Sequence, residues 1–551
     1  FMEAGFLIIN EKDNVGVALR KLPRGRRIKA EGRTVALVED IPAKHKFTLE
    51  ALDEGAAVYM YGVLVGKTTQ PVPEGGLLTT GNLTHAAADF QIGREQHQWA
   101  APDTTDFAGR TFNGFPREDG RVGTRNYWLV IPLVFCENRN IQVIREAMAE
   151  ALGYTTERQF AVDTPHLICR YQEGAGAEEL LREDIIREAD DLKANRVFPR
   201  VDGIKFLTHQ AGCGGTREDA EALCRLLAGY IAHPNVAGAT VLSLGCQHAQ
   251  IDLLKQALHR IAPNYNRPLF FLEQQQTASE RAFIAEAVKQ TFVGLITANQ
   301  AERTPTPLHK LILGLECGGS DGFSGISANP ALGHASDLLV AMGGTAILAE
   351  FPELNGVEQE LLNRCRDEKT AQKFYQLMQA YAKAAEAVGS GFDYNPSPGN
   401  IRDGLITDAI KSAGAAKKGG TSPVTDVLDY TEQATEPGLN LLCTPGNDVE
   451  STTGLAGSGA TVIVFTTGLG TPTGNPVCPT LKMSTNTELA RRMPDLIDID
   501  AGSIIEGADT PATKGAALLE LLIQVANGAV MPKAEQLGQD DFIPWKRGVS
   551  L

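Results

Sequence analysis

No apolar run in the 551-residue chain approaches the ~20 residues needed to cross a bilayer. Basic charge is also short, with 51 Lys and Arg against 67 Asp and Glu and a net charge of −16. That balance excludes general nucleic-acid binding and stable residence on an anionic membrane surface. There is no C-x-x-C pair, no P-loop and no G-x-G-x-x-G fingerprint, so zinc-finger and common nucleotide-binding readings find no support. Cysteines number nine, an odd and scattered set unlike the dense even pattern of a secreted disulfide scaffold. The opening FMEAGFLIINEKDNVG has no basic start followed by a long apolar stretch, so no export signal is read. Free thiols in a reducing cytoplasm are the expectation.

What is present is ordinary globular composition, 43% hydrophobic and 21% charged. At this length, several domains are expected. Short β-like runs (FLIIN, VGVAL, TVALVE, AAVYMYGVLVG) between Gly and Pro breakers predict a small all-β unit over 1–92. A polar linker follows over 93–110. From 111 the pattern turns α/β, with apolar runs at 127–135, 203–208, 239–244 and 269–273. Amphipathic stretches alternate with them, including AEELLREDIIREADDLKA and ERAFIAEAVKQTF. A second α/β unit over 301–551 carries LILGLE, TAILAE, LNLL and TVIVF, with a long helical segment at about 356–388. Alternating strands and helices predict mainly parallel sheets in the units 111–300 and 301–551.

Four cysteines close apolar runs: Cys136, Cys213, Cys246 and Cys317. Open parallel sheets bind ligands at the carboxyl ends of strands, although a small apolar cysteine also packs well there. His209 stands four residues before Cys213, and His248 two after Cys246. Thiolate with imidazole favours iron or zinc over magnesium or calcium. The loop 315–333 offers Ser320, Asp321, Ser324 and Asn329 to a polyhydroxylated ligand or serves as irregular structure. The stretch 465–486 reads as a strand, a glycine-rich loop and then Lys482, Ser484, Thr485 and Asn486. A lysine in such company binds a carboxylate or moves a proton when desolvated; exposure is the alternative. Arg125 and Asn126 precede a buried strand, where Arg125 either clamps a carboxylate or solvates the strand entrance. The basic run 20–33 reads as a solvated hairpin face or a steering patch, and His45 and His85 as structural histidines.

At these segments the chain resembles the altronate and galactarate dehydratase family of sugar-acid hydro-lyases. DNVGVAL, IPAKHKF, FPREDGRVGTRNYWLVIP, HQAGCGG, HPNVAGATVLSLGC, LECGGSDGFSGISANPALG, NPSPGN, FTTGLGTPTGNPVCPT and LKMSTN carry the likeness. It implies an N-terminal SAF-type β-clip domain and cytoplasmic, iron-dependent loss of water from a hexonate or hexarate, giving a 2-keto-3-deoxy acid. Two segments depart from the family pattern: TTGN at 79–82 replaces H-x-H-N, and Leu469 stands where relatives have Arg.

Loss of water from a 2,3-dihydroxy acid needs a base for the C2 proton, an acid for the C3 hydroxyl and stabilisation of the enediolate. The expected metal ligands are Cys213, Cys246, Cys317 and His45, with Lys482 and His209 as catalytic candidates (His209 serving equally as a ligand). Arg125, Asn126, Ser320, Asp321, Asn329, Thr485 and Asn486 are expected to hold the substrate. Ferrous ion leads, manganous ion is the alternative, and an iron–sulfur cluster with one open iron satisfies the same thiolates. D-Altronate is the expected substrate of a homo-oligomer; galactarate, a sulfonated hydroxy acid, and a non-catalytic sugar-acid binder are the competing readings.

Overall fold

Short antiparallel strands joined by turns build the N-terminal unit. The computed structural model describes residues 5–30, 33–92, 97–154, 160–188 and 196–551. Phe6–Leu7, Val15–Ala18 and Lys46–Thr48 form one antiparallel sheet, and Ala57–Met60, Val63–Thr68 and Leu83–Thr84 another. The basic run lies on an antiparallel hairpin, Arg27–Ala30 against Arg33–Ala36, with Arg24 and Lys29 exposed. Phe6, Ile28, Val35 and Phe47 make a small separate core. Val58, Val65 and Leu78 instead share a core with Phe323, Ile326 and Ala413, far along the chain.

The second unit is a four-stranded sheet ordered Gly203–Phe206, Tyr127–Pro132, Val236–Ser243, Leu269–Glu273, with every pairing parallel. Both faces are covered, as parallel sheets require. Leu129 and Ile131 pack with Leu223, Leu227 and Leu254 on one side; Trp128 and Val130 meet Ile141, Ile144 and Phe283 on the other. The third unit has seven strands, all paired in parallel: Val424–Leu428, Gly438–Leu442, Thr345–Leu348, Ile312–Cys317, Val462–Thr467, Thr480–Ser484 and Ile499–Asp500. Among the described residues, no helix is long and apolar enough to cross a membrane.

Three local expectations change. Residues 480–484, given no element in the sequence, form a buried strand because Leu481 and Met483 alternate into the core while Lys482 takes the opposite face. The long helix near 356–388 is two, Glu358–Arg364 and Glu368–Ala387, the second N-capped by Asp367 through Thr370 N. The helix expected over 177–194 is only Ala177–Leu180, followed by a strand, Ile186–Glu188, on Phe160–Val162. Leu181 and Ile186 are exposed there, so no core rewards a longer apolar stripe, and Asp184 caps Ile186 N in a turn. Residues 189–194 of that stretch lie outside the described residues.

The two α/β units are fastened at the amino ends of their strands. Asn235, fully buried, donates from Nδ2 to the carbonyls of Thr461 and Val477 and accepts Thr124 N at Oδ1. Thr124 Oγ1 donates to Thr461 O at 2.8 Å. These bonds place the starts of strands from both sheets side by side.

Candidate active site

Two strands of the larger sheet end in acid. Glu316 and Cys317 finish Ile312–Cys317, and Glu350 follows the parallel strand Thr345–Leu348 in a left-handed conformation with φ 66°. Glu353 lies one turn on, and Lys411 and Lys418 come from the segment crossing back over them. Lys418 Nζ is 2.5 Å from Glu350 Oε2 and 2.8 Å from Cys317 Sγ. The Cys317 thiol donates to Glu353 Oε2 at 3.2 Å, and Lys411 Nζ closes the group 2.7 Å from Glu353 Oε1. Glu316 Oε2 accepts the Ser451 hydroxyl at 2.7 Å.

Burial of so many charges sets their protonation. Burial, then the nearby Glu350 and Glu353, pushes the Cys317 thiol well up, so it is a neutral donor. Burial also pulls the Lys418 ammonium down, but its acidic surroundings outweigh this and keep it charged. Burial and the adjacent Glu350 raise Glu316, whereas at Glu353 the neighbouring Lys411 and Lys418 overcome burial and hold the carboxyl low. Glu316, held protonated, shares a side-chain hydrogen bond with Glu350, the arrangement of two buried carboxyl groups that cannot both ionise.

Lys482 lies three strands across from the strand that leads to Glu350, on the far side of Val462–Thr467. It is fully buried, its Nζ lacks a hydrogen-bond partner, and it stands 3.5 Å from the Phe465 ring centroid. Burial takes its ammonium down to about 7, against the opposing pull of Asp448. Burial, reinforced by Glu350 and Glu353, lifts the Asp448 carboxyl to about 7. A lysine and a carboxyl group are thus both poised to exchange protons near neutrality.

The β-domain reaches the same edge. Its loop carries Lys44, in a left-handed conformation with φ 72°, and Lys44 Nζ pairs with Asp321 at 3.0 Å and Asp403 at 2.9 Å. The fit requires glycine at Gly322 and Gly404, where a Cβ would sit 2.5 and 2.4 Å from Lys44 O. Lys46, fully buried, donates to Gly404 O at 2.6 Å. Asp321 also accepts Asn486 Nδ2 at 3.3 Å, and Asn486 Nδ2 reaches Thr485 Oγ1 and Gly468 O. Asp321, Thr485 and Asn486 therefore meet, with Ser320 adjoining through its carbonyl bond to Asn400. Asn329 lies deeper, between Thr466 Oγ1 and Gly414 O.

Arg125, Asn126, His209, Cys213 and Cys246 lie elsewhere, whereas His45 follows Lys44 in the β-domain loop. Arg125 spends its fork on Glu535, both bonds at 3.0 Å, and on the carbonyls of Thr124 and Val525. Asn126 bonds Arg200 O, Ala298 O and Arg117. His209 is buried, donating from Nε2 to Pro132 O and accepting Ala211 N at Nδ1; burial lowers it to about 4, so it is neutral. His45 is half-buried, with Nδ1 near Ala43 O. Cys213 and Cys246 are exposed at the edge of the four-stranded sheet, while Cys317 is buried in the seven-stranded one. Among the described residues, the metal-capable groupings are Cys317–Glu350–Glu353 and Glu316–Glu350–Asp448, each with ligand atoms within 4.8 Å. A thiol gathered with carboxylates suits a divalent ion of intermediate softness. Glu350, Glu353, Lys411, Lys418 and Asp448 carry much of this site, and of them only Glu350 bore a signal, as the last residue of TAILAE.

The three units each match a family description. Residues 4–86 match the altronate/galactarate dehydratase SAF domain, 114–299 the D-galactarate dehydratase/altronate hydrolase second domain, and 308–550 the D-galactarate/altronate dehydratase C-terminal domain. The chain is 33% identical over 548 residues to an altronate dehydratase of Bacillus subtilis (strain 168), covering 99% of each. It is 33% identical over 527 residues to an altronate dehydratase of Escherichia coli (strain K12), covering 95% of each. To the galactarate dehydratase (L-threo-forming) of Escherichia coli (strain K12) it is 28% identical over 540 residues, covering 97% of this chain and 95% of the other. Fold, acid–base site and likeness together define a carbon–oxygen lyase of the hydro-lyase type. The chain belongs to the altronate/galactarate dehydratase family.

Proposed function

We propose that this enzyme dehydrates D-altronate to 2-keto-3-deoxy-D-gluconate and water. The observation that carries the reading is the pair of buried proton carriers, Lys482 and Asp448, both held near 7 at the carboxyl edge of a parallel sheet. Altronate is placed ahead of galactarate because the two relatives named for altronate are the more similar, 33% against 28% identical.

Neutral Lys482 takes the C2 proton, whose acidity is raised by the neighbouring carboxylate. Protonated Asp448 gives its proton to the departing C3 hydroxyl, which leaves as water as the C3–O bond breaks. The resulting enol ketonises. Ser320, Asp321, Thr485 and Asn486 face the substrate hydroxyls, and Lys44 and His45 bring the β-domain to the mouth of the site. A divalent ion, ferrous by preference and manganous as the alternative, would be held by Cys317, Glu350 and Glu353. When bound, it supplies Lewis-acid stabilisation of the charge developing on the substrate carboxylate. Arg125, Asn126 and His209 are assigned to bracing the fold, because their hydrogen-bonding capacity is already used.

An anaerobic screen of hexonates and hexarates with ferrous or manganous ion tests this. Formation of a 2-keto-3-deoxy acid from altronate, faster than from galactarate, is the expected result. Ligand-dependent thermal stabilisation without turnover of any substrate would instead establish a binding protein, and sulfite release from sulfolactate a sulfo-lyase.

A further inference from the structure

The exposed thiols of the four-stranded sheet belong to none of the chemistry above. Cys136 follows Tyr127–Pro132, Cys213 follows Gly203–Phe206, and Cys246 follows Val236–Ser243, which are three adjacent strands of one parallel sheet. Their loops are stitched together: Phe135 N donates to Ala211 O at 3.1 Å, and His248 N and Ala249 N both donate to Gly212 O at 3.1 Å. Each cysteine therefore stands within two residues of a bond joining its loop to the next. Gly212, with φ 102°, makes the approach possible, since a Cβ there would lie 2.2 Å from Leu133 O. Glycine also follows Cys213 and precedes Cys246. All three cysteines are exposed and unpaired, and Cys246 Sγ accepts a hydrogen bond from Gln275 Nε2 at 3.3 Å.

We propose that Cys136, Cys213 and Cys246 ligate an iron–sulfur cluster of the four-iron type, leaving one iron without a protein thiolate. A single ion is the poorer fit. Thiolate–metal bonds of about 2.3 Å confine sulfurs on one ion to within ~4.6 Å of each other. Among the described residues, these three do not gather within 4.8 Å, whereas a cluster is held at separate corners by separate thiolates. Assembly takes two ferric and two ferrous ions with four sulfides from outside and releases the three thiol protons, so no oxidant is consumed. The site is distinct from the Cys317 group and does not depend on the substrate assigned above.

The test is the full chain purified anaerobically and reconstituted with ferric and ferrous iron in equal amounts and sulfide. About four irons and four acid-labile sulfides per chain are expected, with broad visible absorbance. C136A, C213A and C246A should each lose the sulfide while C365A retains it. Alkylation mapped by mass spectrometry covers the case of a variant that does not fold: the wild-type apo chain should label at all three cysteines and the reconstituted chain at none. Iron bound without sulfide, or unchanged labelling after reconstitution, overturns the proposal. Failure of the reconstituted chain to take up sulfide, while it still turns over altronate with ferrous ion, would overturn the cluster and leave the dehydratase reading intact. A full cluster with no turnover would do the reverse.

Discussion

A lysine buried without a hydrogen-bond partner destabilises a fold wherever it must stay charged, so the Lys482 position is retained against a cost. Replacing it with methionine keeps the volume and removes the base; K482M should lower kcat by ~10²–10⁴-fold with the fold intact. In the wild type, kcat should peak near pH 7, rising as Lys482 loses its proton and falling as Asp448 loses its own. The Lys482 contribution to stability rises with pH. The unfolded chain holds this proton up to the ordinary lysine range and the folded chain releases it near 7, so between those values the unfolded state binds more protons and stability rises with pH. Urea titrations at several pH values should show that slope reduced in K482M; an unchanged slope would assign it to other groups, such as Lys46, which burial also brings down to about 7. The sequence marked Lys482 by its small polar neighbours but not its burial, which follows from Leu481 and Met483 alternating into the core. Lys418 carried no mark, because nothing in a paired-lysine segment says that one member is enclosed.

Elements end where side chains find or lack a partner, and the peg of the β-domain shows it best. Lys44 O lies against two glycines that admit no Cβ, and Gly404 also has φ +91°. G404A therefore strains the backbone and pushes the peg away. Its expected result is earlier cleavage at the boundary of the β-domain in limited proteolysis and a raised KM, while the α/β units keep their thermal transition. An unchanged digestion pattern would show that the peg is not what holds the domain. Strand runs such as LFFLE and LILGLE were legible because burial on both faces writes them as continuous apolar stretches. The helix expected near 177–194 was misjudged because periodicity alone does not reveal whether a core exists to receive it. The close approach at Lys44 joins segments about 360 residues apart, a separation that no local pattern encodes.

At the scale of the molecule, Arg125 and Glu535 join the second unit to the third. Burial pushes the Glu535 carboxyl up, but Arg125 and Tyr127 take it down to about 2. Removing one partner strands a buried charge, so R125M should cost about 3–5 kcal/mol, read as a lowered denaturant midpoint. The double replacement R125M/E535L should recover much of it; no recovery would mean that Arg125 acts through its two carbonyl bonds instead. The three-unit order was legible from changes in periodicity, but which unit supplies which chemistry was not, since the strand-end cysteines divide between two sheets.

The fastening at Asn235, Thr124 and Thr461 has a mechanical reading. The two units are also joined at the opposite rim, where Leu551 N donates to Gly214 O and Gly548 N to Asp219 Oδ1, and along a shared core that packs Leu226 and Tyr230 with Leu455 and Ala456. Bodies clamped at both rims leave no free lever arm, so the sheets turn together. Hydrogen exchange should thus be slow at the Asn235 amide and at the Leu551 amide alike.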